Sequence, residues 1–171
     1  MKSLRLLFLL SLAPLALPAA AQTPARNPQI DYPGFRALTQ SVEAQRRDGL
    51  IDFARFQAEA AKPGTLILDA RSRDAYAAGH IKGAVNLPFT DFTAESLAAT
   101  IGADPNRLIL IYCNNNFRNN APPVTLKARP LALNIQTFIN LVGYGYSNIR
   151  ELDAVVDFTD PAVGWVTGPD A

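Results

Sequence analysis

Two short, unbroken apolar runs stand out along the chain, Thr65-Leu66-Ile67-Leu68-Asp69-Ala70 and Arg107-Leu108-Ile109-Leu110-Ile111-Tyr112. Runs of this length with no polar alternation fit central strands of a parallel sheet, buried on both faces. Between them the pattern predicts a short helix near Asp74 to Ala78, a third strand at Ala84 to Leu87 and a helix from about Thr93 to Ile101. Upstream, Phe35 to Arg47 is mixed and helical in pattern, and Leu50-Ile51 suits a short strand. Asp52 is placed to cap a helix over Phe53 to Ala61, with Phe53, Phe56 and Ala60 on one face. Lys62-Pro63-Gly64 stops it. Downstream, Leu131 to Val142 reads as a helix with Leu133, Phe138, Leu141 and Val142 as core positions and Gly143 at its end. Asn148 to Leu152 reads as a last strand. Strands alternating with helices predict an α/β domain around a mostly parallel sheet.

The first residues follow a different grammar. Met1-Lys2-Ser3-Leu4-Arg5 is a basic start, Leu6 to Leu17 is apolar, and Ala19-Ala20-Ala21 offers a small-residue cleavage site before Gln22. These three parts make a secretory signal peptide over residues 1–21, and the expected location is periplasmic or secreted. Pro14 and Pro18 interrupt the apolar run, which argues against a spanning helix, and no cysteine follows it to carry a lipid. Residues 22–49 then form an N-terminal extension, an extended lead-in plus the first helix, and residues 50–171 form one domain with a C-terminal tail. Cleavage would remove Lys2 and Arg5 from sixteen basic residues, leaving fourteen against fifteen acidic ones, a net charge of −1. No Lys/Arg cluster is present, so neither a nucleic-acid partner nor a membrane surface is expected after cleavage.

The chain holds one cysteine, Cys113. An unpaired cysteine in an exported protein is a candidate reactive thiol. The second apolar run delivers the chain into it, and in open α/β sheets ligands sit beyond the carboxyl ends of the strands. Asn114-Asn115-Asn116-Phe117-Arg118-Asn119-Asn120 follows. Asparagine tolerates left-handed backbone, so this loop could turn successive N–H groups inward as an anion-binding nest. Arg118 would add a fixed positive charge beside the sulfur. Together these features would favour thiolate over thiol. One Cys and one His far apart supply too few ligands for a metal, and no cofactor is implied.

The chain resembles the rhodanese (sulfurtransferase) superfamily. The likeness rests on Leu66-Ile67-Leu68-Asp69-Ala70-Arg71 and on Tyr76-Ala77-Ala78-Gly79-His80-Ile81-Lys82-Gly83-Ala84-Val85-Asn86-Leu87-Pro88. It continues in the Cys-x4-Arg loop from Cys113 to Arg118 and in Gly143-Tyr144-Gly145-Tyr146-Ser147-Asn148-Ile149. The resemblance implies a five-stranded sheet with helices on both faces. It also implies a Cys113 that takes a sulfane sulfur from a thiosulfate-like donor and passes it to a thiophilic acceptor such as cyanide or a thiol. By the same resemblance, Asn114, Asn115, Asn116, Phe117, Arg118 and Asn119 would bind the anion, while Asp69, Arg71 and His80 would be structural or supporting. Related cysteine phosphatases carry a longer loop, and Tyr112 stands where tyrosine phosphatases have His, so a single sulfur suits this loop better than a phosphoryl group.

The sequence departs from the family pattern at several places. Asn116 and Asn119 replace a customary Gly and Ser, and Pro122 to Pro130 intervene before the helix that ordinarily follows the loop. Ala75 replaces an acid before Tyr76, and Ala154-Val155 replaces a Gly-Gly. A sulfurtransferase or persulfide carrier is therefore the first expectation. A non-catalytic module binding a periplasmic protein or small anion is the second, and a redox sensor working through oxidation of Cys113 the third.

Overall fold

The computed structural model describes residues 27–168. The segment read as a signal peptide, and the first residues of the lead-in, lie outside the described residues. Every element below belongs to the compact unit that begins at Tyr32. In chain order these are α1 (Tyr32–Gly49), β1 (Leu50–Ile51), α2 (Phe53–Ala60), β2 (Leu66–Asp69), α3 (Arg73–Ala78), β3 (His80–Ile81) and β4 (Ala84–Asn86). There follow α4 (Ala94–Ile101), β5 (Ile109–Tyr112), α5 (Leu133–Gly143), β6 (Ile149–Leu152) and β7 (Trp165–Val166). None of the described helices is long and apolar enough to cross a membrane.

Local chemistry sets the helix starts. Helix α1 begins three residues earlier than its pattern predicts, because Pro33 falls in the first turn, where a missing N–H costs nothing. Asp52 caps α2 by accepting from the Arg55 amide at 2.8 Å. Thr93 and Ser96 cap α4 reciprocally, each side-chain oxygen accepting from the other's amide at 3.1 and 2.9 Å.

The five strands β1-β6-β5-β2-β4 form one sheet, parallel throughout. Strand β5 sits at its centre, pairing Asp69 with Tyr112 on one side and Ile111 with Glu151 on the other. All four residues of β2 and of β5 are buried, as expected of strands covered on both faces. Alternate side chains enter opposite cores. Leu66, Leu68, Ile109 and Ile111 pack with Val42, Leu97, Ile101, Phe138 and Leu141 from α1, α4 and α5. Ile67, Leu110 and Tyr112 pack with Phe56 of α2 and Tyr76 of α3 on the other face. Each fully buried aliphatic side chain contributes about 1.5–3 kcal/mol, so this double burial fixes the register of the two central strands.

The mostly parallel sheet expected from the sequence is thus wholly parallel, and a separate antiparallel ribbon lies outside it. His80 pairs with Val166, and Ile81 with Trp165. The C-terminal residues expected to be a tail therefore close over the end of α3. Strands β2, β5 and β6 all end along one edge, at Asp69, Tyr112 and Leu152. The loops that leave this edge build the site.

Candidate active site

A buried polar platform lies just below that edge. Asp69 and Arg71 form an ion pair, with Arg71 Nη2 2.5 Å from Asp69 Oδ2, and the same nitrogen donates to the Gly79 carbonyl at 2.7 Å. Tyr112 donates to Asp69 Oδ2 at 2.6 Å and accepts from the Ile81 amide at 3.1 Å. Burial works against the Arg71 charge, but the Asp69 carboxylate outweighs it and holds the guanidinium above its ordinary value. Burial, then the Asp69 charge, pushes the Tyr112 hydroxyl well up, so it stays a donor. His80 is fully buried, stacked on the Tyr76 ring at 3.7 Å with Nδ1 2.8 Å from the Tyr76 carbonyl. Asp69, Arg71, Tyr112 and His80 together brace the strand ends and the β3–β7 ribbon.

Cys113 leaves β5 with extended backbone and lies on the floor of a cleft of about 710 Å³. The residue is 1 % exposed. Three backbone amides reach its sulfur, from Asn134, Asn115 and Leu133. Two of these open α5, whose N-cap, Ala132, has no side chain able to satisfy them. The sulfur takes the place of a capping oxygen, at the positive end of an eleven-residue helix. Burial nevertheless pushes the Cys113 thiol up from its ordinary value, the Glu151 carboxylate adds to that, and the three amides offset it in part. Burial also raises Glu151 itself, against the lowering effect of Arg46, whose Nη2 lies 2.6 Å from Glu151 Oε1.

The asparagine loop does not form the expected nest. Asn114–Asn116 make one 3-10 turn, and among the described non-glycine residues only Asn120 takes a positive φ, 44°. The asparagine side chains clamp backbone instead. Asn114 Nδ2 donates to the Thr125 carbonyl at 2.8 Å. Asn115 grips Lys127 at two points, donating to its carbonyl at 2.8 Å and accepting from its amide at 3.1 Å. Asn120 accepts from the Leu126 amide at 3.1 Å. The inserted segment from Pro122 to Pro130 is thereby strapped along the cleft, and Val124 of the strap is fully buried in the core beneath.

Asn116 does not face the cleft as an anion ligand; it is buried behind Cys113. Its Oδ1 accepts from the Cys113 amide at 2.9 Å and from Asn134 Nδ2 at 3.0 Å, while its Nδ2 donates to the carbonyls of Leu152 and Ala154 at 2.8 and 3.0 Å. Phe117 packs beneath the loop, edge-on to Tyr112 and Trp165. From there the chain turns away, because Phe117 bridges Val156 and the Arg118 amide donates to the Val156 carbonyl at 2.9 Å. Arg118 therefore points into a second, smaller hollow with Asp157 and Asp160, rather than beside the sulfur. Asn119 donates to Asp157 at 2.8 Å and, with Thr159, holds that carboxyl down at about 2. Of the residues expected to bind an anion, Asn114 and Asn115 share the cleft with Cys113, and Asn116, Phe117, Arg118 and Asn119 do not.

Other residues take their places along the cleft. Arg71, Arg73, Asp91 and Lys127 supply its charges, and Phe89, Leu131 and Leu133 much of its apolar wall. The one legible sign of the helix's role is the lack of a capping side chain at its N-cap position, Ala132. Lys127 carried no signal, since its position depends on clamps made by side chains twelve residues away.

A family model described as a rhodanese-like domain matches residues 52–154, more than half of the chain. Solved structures similar to the chain include the Rhodanese_3-like domain of the Alr3790 protein from Anabaena sp., at 20% identity over 61% of this chain and 93% of that one, with a TM-score of 0.42. Another is the BH2092 protein from Bacillus halodurans, at 16% identity over 85% of this chain and 91% of that one, with a TM-score of 0.47. No curated protein matches the chain.

Proposed function

The chain belongs to the rhodanese-like domain family, and from that premise we propose that it is an exported sulfurtransferase or persulfide carrier that moves a sulfane sulfur through Cys113. The observation that supports this reading is the seat of the thiol, at the end of the central strand on a cleft floor, with the amides of Asn115, Leu133 and Asn134 turned onto its sulfur. Export rests on the pattern of residues 1–21.

The chemistry is nucleophilic. The Cys113 thiolate attacks the outer sulfur of a thiosulfate-like donor. A sulfur–sulfur bond forms at Sγ, the donor's own sulfur–sulfur bond breaks, and sulfite leaves with that bond's electron pair. The new persulfide is anionic, and the three amides stabilise charge developing there. An acceptor thiolate or cyanide then attacks the outer sulfur and returns Cys113 to its resting form. Arg118 has no part in these steps, because it lies in the other hollow.

Intact-mass measurement after incubation with thiosulfate should show one added sulfur, which cyanide removes, and Cys113→Ser should show neither. Unchanged turnover in Cys113→Ser would refute the assignment. The near-complete burial of Cys113 favours a second reading, a module that binds a periplasmic protein without turnover. Retention of the same partner by wild type and Cys113→Ser, with no sulfur adduct on the wild type, would decide for it.

A further inference from the structure

Three cations line the cleft, and two of them are engaged. Arg71 is committed to Asp69 and the Gly79 carbonyl, and Arg73 to Asp91. Lys127 forms no ion pair among the described residues, although the Asn115 clamp fixes its backbone at both its amide and its carbonyl. The cleft therefore carries one uncompensated positive charge, on the strap wall. Its volume of about 710 Å³ falls in the range that encloses a whole organic ligand, far beyond what a single sulfur atom needs. Its largest apolar side chains are Phe89 and, where the strap runs into α5, Leu131 and Leu133. Leu131 is 62% exposed, an apolar side chain at a cleft edge with little of the protein covering it. Size, a carbon-lined wall and one free cation form a recognition pattern that neither thiosulfate nor cyanide uses in full.

We propose that the strap sets the acceptor: persulfidated Cys113 passes its sulfur to an organic thiol whose carboxylate is held by Lys127 and whose carbon skeleton packs on Phe89, Leu131 and Leu133. This rests on the sulfurtransferase reading above. In the step, the acceptor thiolate attacks the outer sulfur of the Cys113 persulfide. The new bond joins the acceptor sulfur to the outer sulfur, the bond between the outer sulfur and Sγ breaks, and its electron pair stays on Sγ as the Cys113 thiolate. The acceptor leaves as an organic persulfide anion, with charge and redox state balanced and no further reactant required. Lys127 is a specificity residue, since it touches the acceptor's remote end and not the reacting sulfurs.

The test is single-turnover unloading of the Cys113 persulfide, formed with thiosulfate and verified by intact mass. The probes are glutathione and its carboxyl ethyl ester at equal, subsaturating concentrations, with rates normalised to the thiolate fraction of each. The wild type should favour the free acid about threefold to fivefold, the advantage an exposed ion pair supports. That ratio should fall to about one in Lys127→Gln and invert in Lys127→Glu. Equal rates for acid and ester in the wild type, or an unchanged ratio in Lys127→Gln, would overturn the assignment while leaving the sulfurtransferase reading intact. Failure of Cys113 to acquire sulfur at all would overturn both.

Discussion

Replacing Asn116 by alanine removes four hydrogen bonds that converge on one buried side chain. The Cys113 amide and Asn134 lose their common acceptor, and the carbonyls of Leu152 and Ala154 lose their donor. A satisfied hydrogen bond contributes about 1 kcal/mol net, and a buried group left without a partner costs about 1–3 kcal/mol. Water can reach the partly buried Ala154 end, so the cost falls below the sum of the parts, at about 3–5 kcal/mol. That is a large share of the roughly 5–15 kcal/mol that separates folded from unfolded domains. Urea denaturation should show the loss as a lower midpoint with an unchanged slope. Asn116→Asp sharpens the test, because it keeps shape, volume and the Oδ1 acceptor. It replaces two N–H donors by a carboxylate oxygen facing two carbonyls, which have nothing to donate. It should cost at least as much as alanine, while alkylation of Cys113 should quicken in the alanine variant, where the amide behind the sulfur comes loose. A cost under about 1 kcal/mol for alanine, or wild-type stability for aspartate, would refute the account of Asn116 as a backbone clamp.

Alkylation of Cys113 by iodoacetamide should rise about tenfold per pH unit through the neutral range and keep rising beyond the ordinary thiol value of about 8.5, since burial raises the thiol and only the thiolate reacts. By linkage, stability falls as pH climbs from the unfolded to the folded value, because the folded chain holds that proton longer; Glu151→Gln should move the profile down, and a plateau below about pH 8 in wild type would refute the shift. In Gly79→Ala the new Cβ would stand 2.2 Å from Trp165 Nε1, so the β3–β7 ribbon must open, costing about 1–3 kcal/mol and altering the emission of the chain's one tryptophan; unchanged emission and stability would show that the ribbon is not packed this tightly.

The fold was legible because its signals are local. The runs ending at Asp69 and Tyr112 have the length and unbroken apolarity of doubly covered strands, and Asp52 and Thr93 carry their capping chemistry in their own side chains. The β3–β7 ribbon was not legible, because two-residue strands have no periodicity and His80 meets Val166 only through the fold. The thiol's position at a strand end was readable, but its surroundings were not. Arg118 follows Cys113 by five positions, and that spacing promises proximity only if the loop closes on itself. Here Asn116 and Phe117 instead turn the chain onto Val156, because a buried amide side chain and an aromatic ring gain more from the interior than from the cleft. Asparagine is ambiguous in sequence for the same reason. It can adopt left-handed backbone or spend its side chain on another peptide group, and all five asparagines near Cys113 spend it on backbone groups of other segments.

The displaced guanidinium changes how the site manages charge. A fixed cation beside the sulfur would stabilise thiolate and persulfide alike. The amides of Leu133 and Asn134 carry only partial charge and act over short range, so their benefit depends on where the negative charge sits. Burial and the Glu151 charge both favour the protonated form of the bare thiol. A persulfide is a stronger acid than its parent thiol and carries its charge one atom beyond Sγ. On the sulfurtransferase reading, the protein therefore favours the loaded anion over the unloaded one. Cys113 would rest mainly protonated, load through its minor thiolate fraction, and become charged chiefly when it carries sulfur. A sulfur carrier gains from this arrangement, since a protonated thiol resists adventitious oxidation while a bound persulfide remains ready for transfer.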